Sequence, residues 1–375
     1  MTRSTISKCK YGYVFLCTFL FASIFLMYLQ KEQYPFQILQ MLKPILNNVE
    51  NSTRLNTTIS KTPLTHLMTT TSKTPSSSLK AILSKTPSTR LTNTSLEKWR
   101  GRLKYLCVSL IGRLGNQMFI FASGLGIANI NNMSMVVQEG IEHLQSVFDI
   151  HNTEKNKKLC KNAKAKYHRK ASAFDPRLFN ISNIDTVHVG HYLQSYKYFE
   201  HIYDEIRSQF TFKKEIKDKA DKILKNIVEK HRKVNNASLN WTLVGIHVRR
   251  GDMVNHNYGY TVATKEYFVK AKQWFQSHYT NVIFVVASNG LQWCKDNISD
   301  NSTYFINGNS AGEDMAILSS CEHLISSVGS YSWWSGFLCR GNVTYYFPPA
   351  RENSGLRKAY SADYMDYFQP KWIRL

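Results

Sequence analysis

Thr242-Leu243-Val244-Gly245-Ile246-His247-Val248-Arg249-Arg250-Gly251-Asp252 runs from an apolar stretch into two guanidiniums, a glycine and a carboxylate. An apolar run without alternation, bounded by charge and glycine, is the pattern of a strand buried on both faces in a parallel sheet. The surrounding sequence repeats the theme. A helix-period stretch covers Lys265–Tyr279, a second buried run covers Val282–Ala287, and a helix follows over Gly312–Glu322. A strand over His323–Val328, a short helix after Ser332 and a strand over Val343–Phe347 complete the pattern. Upstream, Tyr105–Ile111 reads as a strand leading into a helix over about 116–129. Lys213–Arg232 places Ile216, Ala220, Ile223, Leu224, Ile227 and Val228 at helical spacing. Strands alternating with helices of this length imply βαβ units, so the expected fold class is α/β with parallel sheets.

In open α/β sheets, ligands sit at the carboxyl ends of the strands. Arg249 and Arg250 stand at such an end. Guanidiniums there are costly to desolvate unless an anion meets them, and their planar fork matches phosphate oxygens. On an extended strand the two point to opposite sides, so one can face a ligand while the other pairs with structure. A salt-bridged pair closing the strand would show the same letters. An adhesive reading of Arg250-Gly251-Asp252 fails because the tripeptide abuts a buried strand rather than a loop tip.

Two further segments carry the same chemistry. Gly112-Arg113-Leu114-Gly115-Asn116-Gln117-Met118-Phe119 lies at the first strand–helix junction, where Gly112 and Gly115 allow close backbone approach and Asn116 can cap the helix. It fits a tight turn or a ligand loop, and it is neither a P-loop nor a Gly-x-Gly-x-x-Gly turn. In Glu313–Leu338, two acids open a helix, a buried strand follows, and Gly329-Ser330-Tyr331-Ser332 starts another helix. Such a hydroxyl-rich turn can bind an anion, or Ser330 or Ser332 can simply cap the helix. No clear Asp-x-Asp metal motif is present, so no metal site and no cofactor are expected, and cationic side chains must offset any diphosphate charge.

Composition restricts the setting. The 375 residues are 43% hydrophobic with 18 Gly and 9 Pro, which excludes disordered and collagen-like chains. The net charge of +22 invites a nucleic-acid reading. The N-terminus argues otherwise. Tyr11–Leu29 contains no charge and spans about 30 Å as a helix, with Arg3, Lys8 and Lys10 before it. The expected layout is a cytosolic tail (1–10), a signal anchor (11–29) and a Ser/Thr/Lys-rich stalk (30–98) in which Ser-Lys-Thr-Pro recurs at residues 60, 72 and 84. A lumenal globular part follows. Asn-x-Ser/Thr sequons at Asn51, Asn56, Asn93, Asn132, Asn180, Asn236, Asn240, Asn297, Asn301 and Asn342 agree with that topology. The basic run Lys157–Lys170 then reads as a solvated surface, and no nucleic-acid partner is expected. The cysteines beyond the anchor (Cys107, Cys160, Cys294, Cys321, Cys339) are odd in number, so at least one is left without an intramolecular partner.

With these motifs in order, the sequence resembles the galactoside α-1,2-fucosyltransferases of glycosyltransferase family 11. The residues that carry it are Gly112–Phe119, Gly245–Asp252, Val286–Gly290 and Asp314–Trp334. The resemblance spans about 105–350 and implies a GT-B-like pair of Rossmann-type lobes, 99–240 on the acceptor side and 241–375 binding GDP-fucose. It implies inverting transfer of L-fucose to the 2-hydroxyl of a β-galactoside, without metal, by a Golgi type II membrane protein. Carried onto these positions, Arg249 meets the departing β-phosphate, His247 and Asp314 contact guanosine, and Ser330 and Tyr331 hold the phosphates. Gly112, Gly115 and Asn116 join the donor site. Related enzymes place a base Glu shortly beyond the arginines; here that region reads Met253-Val254-Asn255-His256-Asn257, leaving Asp252 and His256 as candidates. The competing readings are a transferase for another nucleotide sugar or linkage, and a membrane-anchored glycan-binding receptor that has lost turnover.

Overall fold

The computed structural model describes residues 103–375 apart from 152 and 236–239. The cytosolic tail, the anchor, the stalk and the sequons at Asn51, Asn56, Asn93 and Asn236 lie outside the described residues. Among the described residues no helix is long and apolar enough to cross a membrane.

Two parallel sheets organise the chain. The first contains β1 (Tyr105–Ser109), β2 (Ser134–Glu139), β3 (Lys164–Tyr167) and β4 (Thr186–Gly190), in the order β2-β1-β4-β3. Helix α1 (Leu114–Ile130) joins β1 to β2. After α2 (Lys214–Asn235) comes the second sheet: β5 (Thr242–Val248), β6 (Val282–Ser288), β7 (Thr303–Phe305), β8 (His323–Ser326), β9 (Val343–Tyr345) and β10 (Ile373–Arg374). Helices α3 (Lys265–His278), α4 (Leu291–Ile298), α5 (Ala311–Ser320) and α6 (Ser330–Leu338) connect its strands. Read from the far edge, the order is β7-β6-β5-β8-β9-β10, and every pairing is parallel. Counted from β5, this is the doubly wound order 3-2-1-4-5-6. The direction of winding reverses between β5 and β8, which is where such sheets bind ligands. The first sheet reverses between β1 and β4 in the same way.

Local chemistry accounts for the elements. β5 sits mid-sheet because Val244, Ile246 and Val248, pointing one way, and Gly245 and His247, pointing the other, are all buried. Helix α5 starts at a capping box in which the Ser310 hydroxyl accepts from the Glu313 amide while the Glu313 carboxylate accepts from Ser310 N. Aromatic packing ties α1 to α6. Phe119 lies 4.6 Å from Trp333 and 5.1 Å from Trp334 between ring centroids, and Phe199 stacks on Trp334. Both tryptophans are buried. Burial of each contributes roughly 4–6 kcal/mol before entropy is charged against it.

Two expectations need correction, and one helix packing lies beyond what the sequence shows. Helix α1 begins at Leu114 and carries no side-chain cap; its N-cap position is Arg113, with extended backbone, so Asn116 lies inside the helix and is free for another partner. Helix α6 likewise starts at Ser330 behind Gly329 without a side-chain cap. The Ser332 hydroxyl instead accepts from Ser327 N at 3.0 Å and pairs with the Ser326 hydroxyl at 2.9 Å. Finally, α2 precedes residue 241, the expected start of the second lobe, yet packs against α5. Its buried Ala220 and Leu224, and an ion pair from Lys219 to Glu313 at 2.8 Å, hold it there. Helical periodicity reveals which face of a helix is apolar but not which neighbour covers it.

Cys107 on β1 and Cys160 form a disulfide, while Cys294, Cys321 and Cys339 are free and buried. Three thiols are thus unpaired, in keeping with the odd count, which requires at least one.

Candidate active site

A cleft of about 670 Å³ opens where the carboxyl ends of β1, β5 and β8 converge. Its walls include Gly112, Gly115, Asn116, His247, Arg249, Asp252, Asp314, Ser330 and Tyr331, so all the expected donor-site residues and one of the two candidate bases line one cavity. Gly112 and Tyr331, 219 positions apart in sequence, meet there because the strands carrying them are parallel and end on the same side.

Arg249 leaves the end of β5 with its backbone N–H held by the Ser327 hydroxyl at 2.9 Å. Its guanidinium donates to the Asp252 carboxylate at 2.7 Å, and its side chain is 20% exposed. From the first sheet's side, Arg113 approaches the same carboxylate at 3.4 Å. Asn289, at the end of β6, fastens this loop: its carbonyl oxygen accepts from Arg250 N at 2.9 Å and its amide donates to Asp252 at 3.3 Å. Two guanidiniums thus share one carboxylate at the mouth of the cleft, and a ligand bearing two negative charges can take its place. Arg250 turns the other way. Its guanidinium lies 3.9 Å above the Trp293 ring and donates to the Ala263 carbonyl at 3.2 Å.

The Ser330 turn faces Arg249 across the switch point. Its close fit to α1 explains Gly115: a Cβ there would stand 2.6 Å from Tyr331 N and 2.7 Å from the Ser330 carbonyl carbon. Gly112 has φ +80°, a left-handed conformation that L side chains rarely adopt, and its carbonyl accepts from Gln117 Nε2 at 3.2 Å. The Asn116 amide oxygen accepts from Ser330 Oγ at 2.6 Å and from Gln194 Nε2 at 2.9 Å. It therefore ties the turn after β8 to the segment after β4. The Tyr331 hydroxyl donates to the Ala311 carbonyl at 2.6 Å, so that hydroxyl is already engaged. What remains at Tyr331 for an anion is its backbone N–H at the start of α6, where the helix dipole favours negative charge.

His247 and Asp314 also line the cleft. His247 is 7% exposed, its ring lies 4.8 Å from that of Tyr331, and its Nδ1 has no hydrogen-bond partner. Burial, then the charge of Arg249, pushes its pKa from 6.5 to about 3, so the ring is neutral. Burial also raises the Asp314 pKa, which the hydrogen bond from Asn309 Nδ2 at 3.0 Å partly opposes. An acidic side chain and an unpaired imidazole nitrogen on one cleft wall suit a heterocycle with N–H donors. His247 also makes stability pH-dependent. Between about pH 6.5 and 3 the unfolded imidazole binds a proton that the folded one refuses, so stability falls as pH drops through this window. The drop in melting temperature from pH 7.5 to 5 should be smaller for His247→Asn than for the wild type; equal drops would show that the group does not titrate this way.

Several wall residues escaped the sequence reading. Gln194 lies in the stretch between 135 and 240 that contains no recognisable motif, and Tyr260, Tyr360 and Tyr367 arrive from loops and the C-terminal segment. His143, also on the wall, meets Gln117 Oε1 through its Nδ1 at 2.9 Å. Of the two candidate bases, Asp252 lines the cleft and His256 is exposed outside the lining. Among the described residues no group of three His, Cys, Asp or Glu is placed to hold a metal ion.

The family model described as Glycosyl transferase family 11 matches residues 79–375, a span containing both sheets and the whole cleft. The chain belongs to glycosyl transferase family 11. The galactoside alpha-(1,2)-fucosyltransferase 2 of Bos taurus is 28% identical over 275 residues, covering 71% of this chain and 77% of the relative. The galactoside alpha-(1,2)-fucosyltransferase 1 of the same species is 28% identical over 279 residues, covering 70% and 73%. Among solved structures, the fucosyltransferase NodZ from Bradyrhizobium aligns with 63% of this chain and 93% of its own at 11% identity, with a TM-score of 0.41. The family-11 resemblance drawn from the four motifs is thus shown by the whole second half of the chain and more.

Proposed function

We propose that this family-11 protein transfers L-fucose from GDP-fucose to the 2-hydroxyl of a β-galactoside, with inversion and without a metal ion. The observation that carries the reading is the meeting of Arg249 and the α6 N-terminus across one switch point, a site built for a diphosphate. The names of the relatives supply the sugar and the linkage. In this reading the guanine occupies the His247–Asp314 end. The acceptor hydroxyl loses its proton to a base and its oxygen attacks the anomeric carbon from the face opposite the diphosphate. The bond to the β-phosphate oxygen breaks, and GDP leaves with a charge that Arg249 meets as it develops. Asp252 is the candidate base within reach of the cleft. Arg249 and Arg113 engage its carboxylate, and a donor diphosphate that draws them away would free that carboxylate for the acceptor hydroxyl.

The reading extends to the whole chain as a Golgi type II membrane protein, anchored by residues 11–29, with the catalytic part lumenal and a galactose-terminated glycan as acceptor. A donor panel tests the chemistry. GDP-fucose, GDP-mannose and UDP-galactose are compared for nucleotide release with and without a β-galactoside; release only with GDP-fucose and acceptor is expected, and equal release from another donor would overturn the assignment. Because Arg249 and the α6 N-terminus supply the countercharge, activity should persist in EDTA after exhaustive dialysis. Loss of activity restored only by manganese would contradict the proposed site.

A further inference from the structure

The wall of the cleft beyond Arg249 and Asp252 is tyrosine-rich and uncharged. Tyr260 comes from the loop after β5, Tyr360 from the end of the short helix Gly355–Ala359, and Tyr367 from the C-terminal segment. The rings of Tyr360 and Tyr367 meet at 5.2 Å and 88°. Tyr367 is fixed from two sides: its carbonyl accepts from Trp333 Nε1 at 2.7 Å, and its ring stacks 5.9 Å from Phe119. Its hydroxyl, on a side chain only 3% exposed, has no hydrogen-bond partner. Buried hydroxyls are normally paired, and this one, closed off by its neighbours at the cavity wall, gains a partner when a ligand displaces the rings around it. The hydroxyls of Tyr260 and Tyr360 are its electrostatic neighbours, and Tyr260 in turn neighbours Asp252 and Arg249.

We infer that Tyr260, Tyr360 and Tyr367 form a pyranose subsite, in which the Tyr367 hydroxyl pairs with a sugar hydroxyl. Aromatic faces accept the C–H face of a sugar ring while their phenolic groups meet its hydroxyls, and this wall adjoins the groups that face the diphosphate. The inference rests on the proposed transfer, and it adds residues that no recognised motif contains. The sugar is either the fucosyl group of the donor or the galactose of the acceptor, and kinetics separate the two.

Tyr367→Phe and Tyr260→Phe are compared with the wild type by steady-state kinetics in each substrate. Removing the Tyr367 hydroxyl should raise one KM about tenfold, the size of one lost hydrogen bond. A rise for the β-galactoside assigns the acceptor, and a rise for GDP-fucose assigns the donor sugar. The melting temperature of the ligand-free variant should be unchanged or higher, because an unpaired buried hydroxyl has been removed. A folded Tyr367→Phe protein with both KM values and kcat at wild-type levels would overturn the subsite. Wild-type turnover reports on the proposed transfer separately. If the wild type shows none, the same comparison is made on the rise in melting temperature produced by lactose and by GDP-fucose. A Tyr367→Phe protein that loses neither rise overturns the subsite in that case.

Discussion

Arg249→Lys should lower turnover by about 10²–10³-fold, or roughly 3–4 kcal/mol, in a protein that still folds. Lysine keeps the charge but replaces a planar fork with a point charge, so it cannot make two parallel contacts to a phosphate. The surroundings favour a clean result. Arg249's backbone N–H is held by the Ser327 hydroxyl, which the substitution leaves in place, and its side chain packs at the cleft mouth rather than in the core. Arg250→Lys provides the contrast. That guanidinium stacks on Trp293 and caps the Ala263 carbonyl away from the cleft, so its loss should act on expression and melting temperature while turnover per folded molecule stays near wild type. A stable Arg249→Lys enzyme with near-normal turnover would remove the phosphate assignment and most of the mechanism built on it.

Gly115→Ala should be nearly as damaging, although a helix gains from alanine in general. Propensity favours the substitution by about 1 kcal/mol. Against it stands a Cβ 2.6 Å from Tyr331 N and 2.7 Å from the Ser330 carbonyl carbon, both backbone atoms that cannot rotate aside. Overpacking of this kind costs about 1–3 kcal/mol, and it can be relieved only by moving the Ser330 turn away from α1. The melting temperature should fall by about 2–6 °C. Because a displacement near 1 Å can cost about 10²-fold, kcat/KM for GDP-fucose should fall on that scale. Unchanged stability and unchanged kcat/KM together would mean that the two segments do not meet as described.

The Gly115 outcome could not be derived from the motifs alone, whereas the contrast between the two arginines could. Strand β5 was legible because burial on both faces demands apolar residues at every position, and Thr242–Val248 has the same limits in sequence and structure. The period-2 geometry of a strand then separates Arg249 from Arg250 without further information. The expectation of one cleft residue and one structural residue follows from it. Helix ends were less legible. Asn116 and Ser332 have side chains suited to capping, but tertiary partners took both: Ser330 and Gln194 in one case, Ser326 and Ser327 in the other.

What the sequence by itself determined is therefore the α/β class, the parallel sheets, and the short motifs at strand ends that line the cleft. Those features are local, since a strand's burial and the residues at its end are written in consecutive letters. The tertiary structure alone decided that Gly115 is a spacer beneath the Ser330 turn, that α2 packs on α5, that the Tyr331 hydroxyl is engaged by Ala311, and that three tyrosines from distant loops share a wall. Each depends on which surfaces face each other after two sheets pack through Phe119, Trp333 and Trp334. Side-chain type restricts what a residue can bind, but the partner it reaches is set by the packing of elements far apart in sequence.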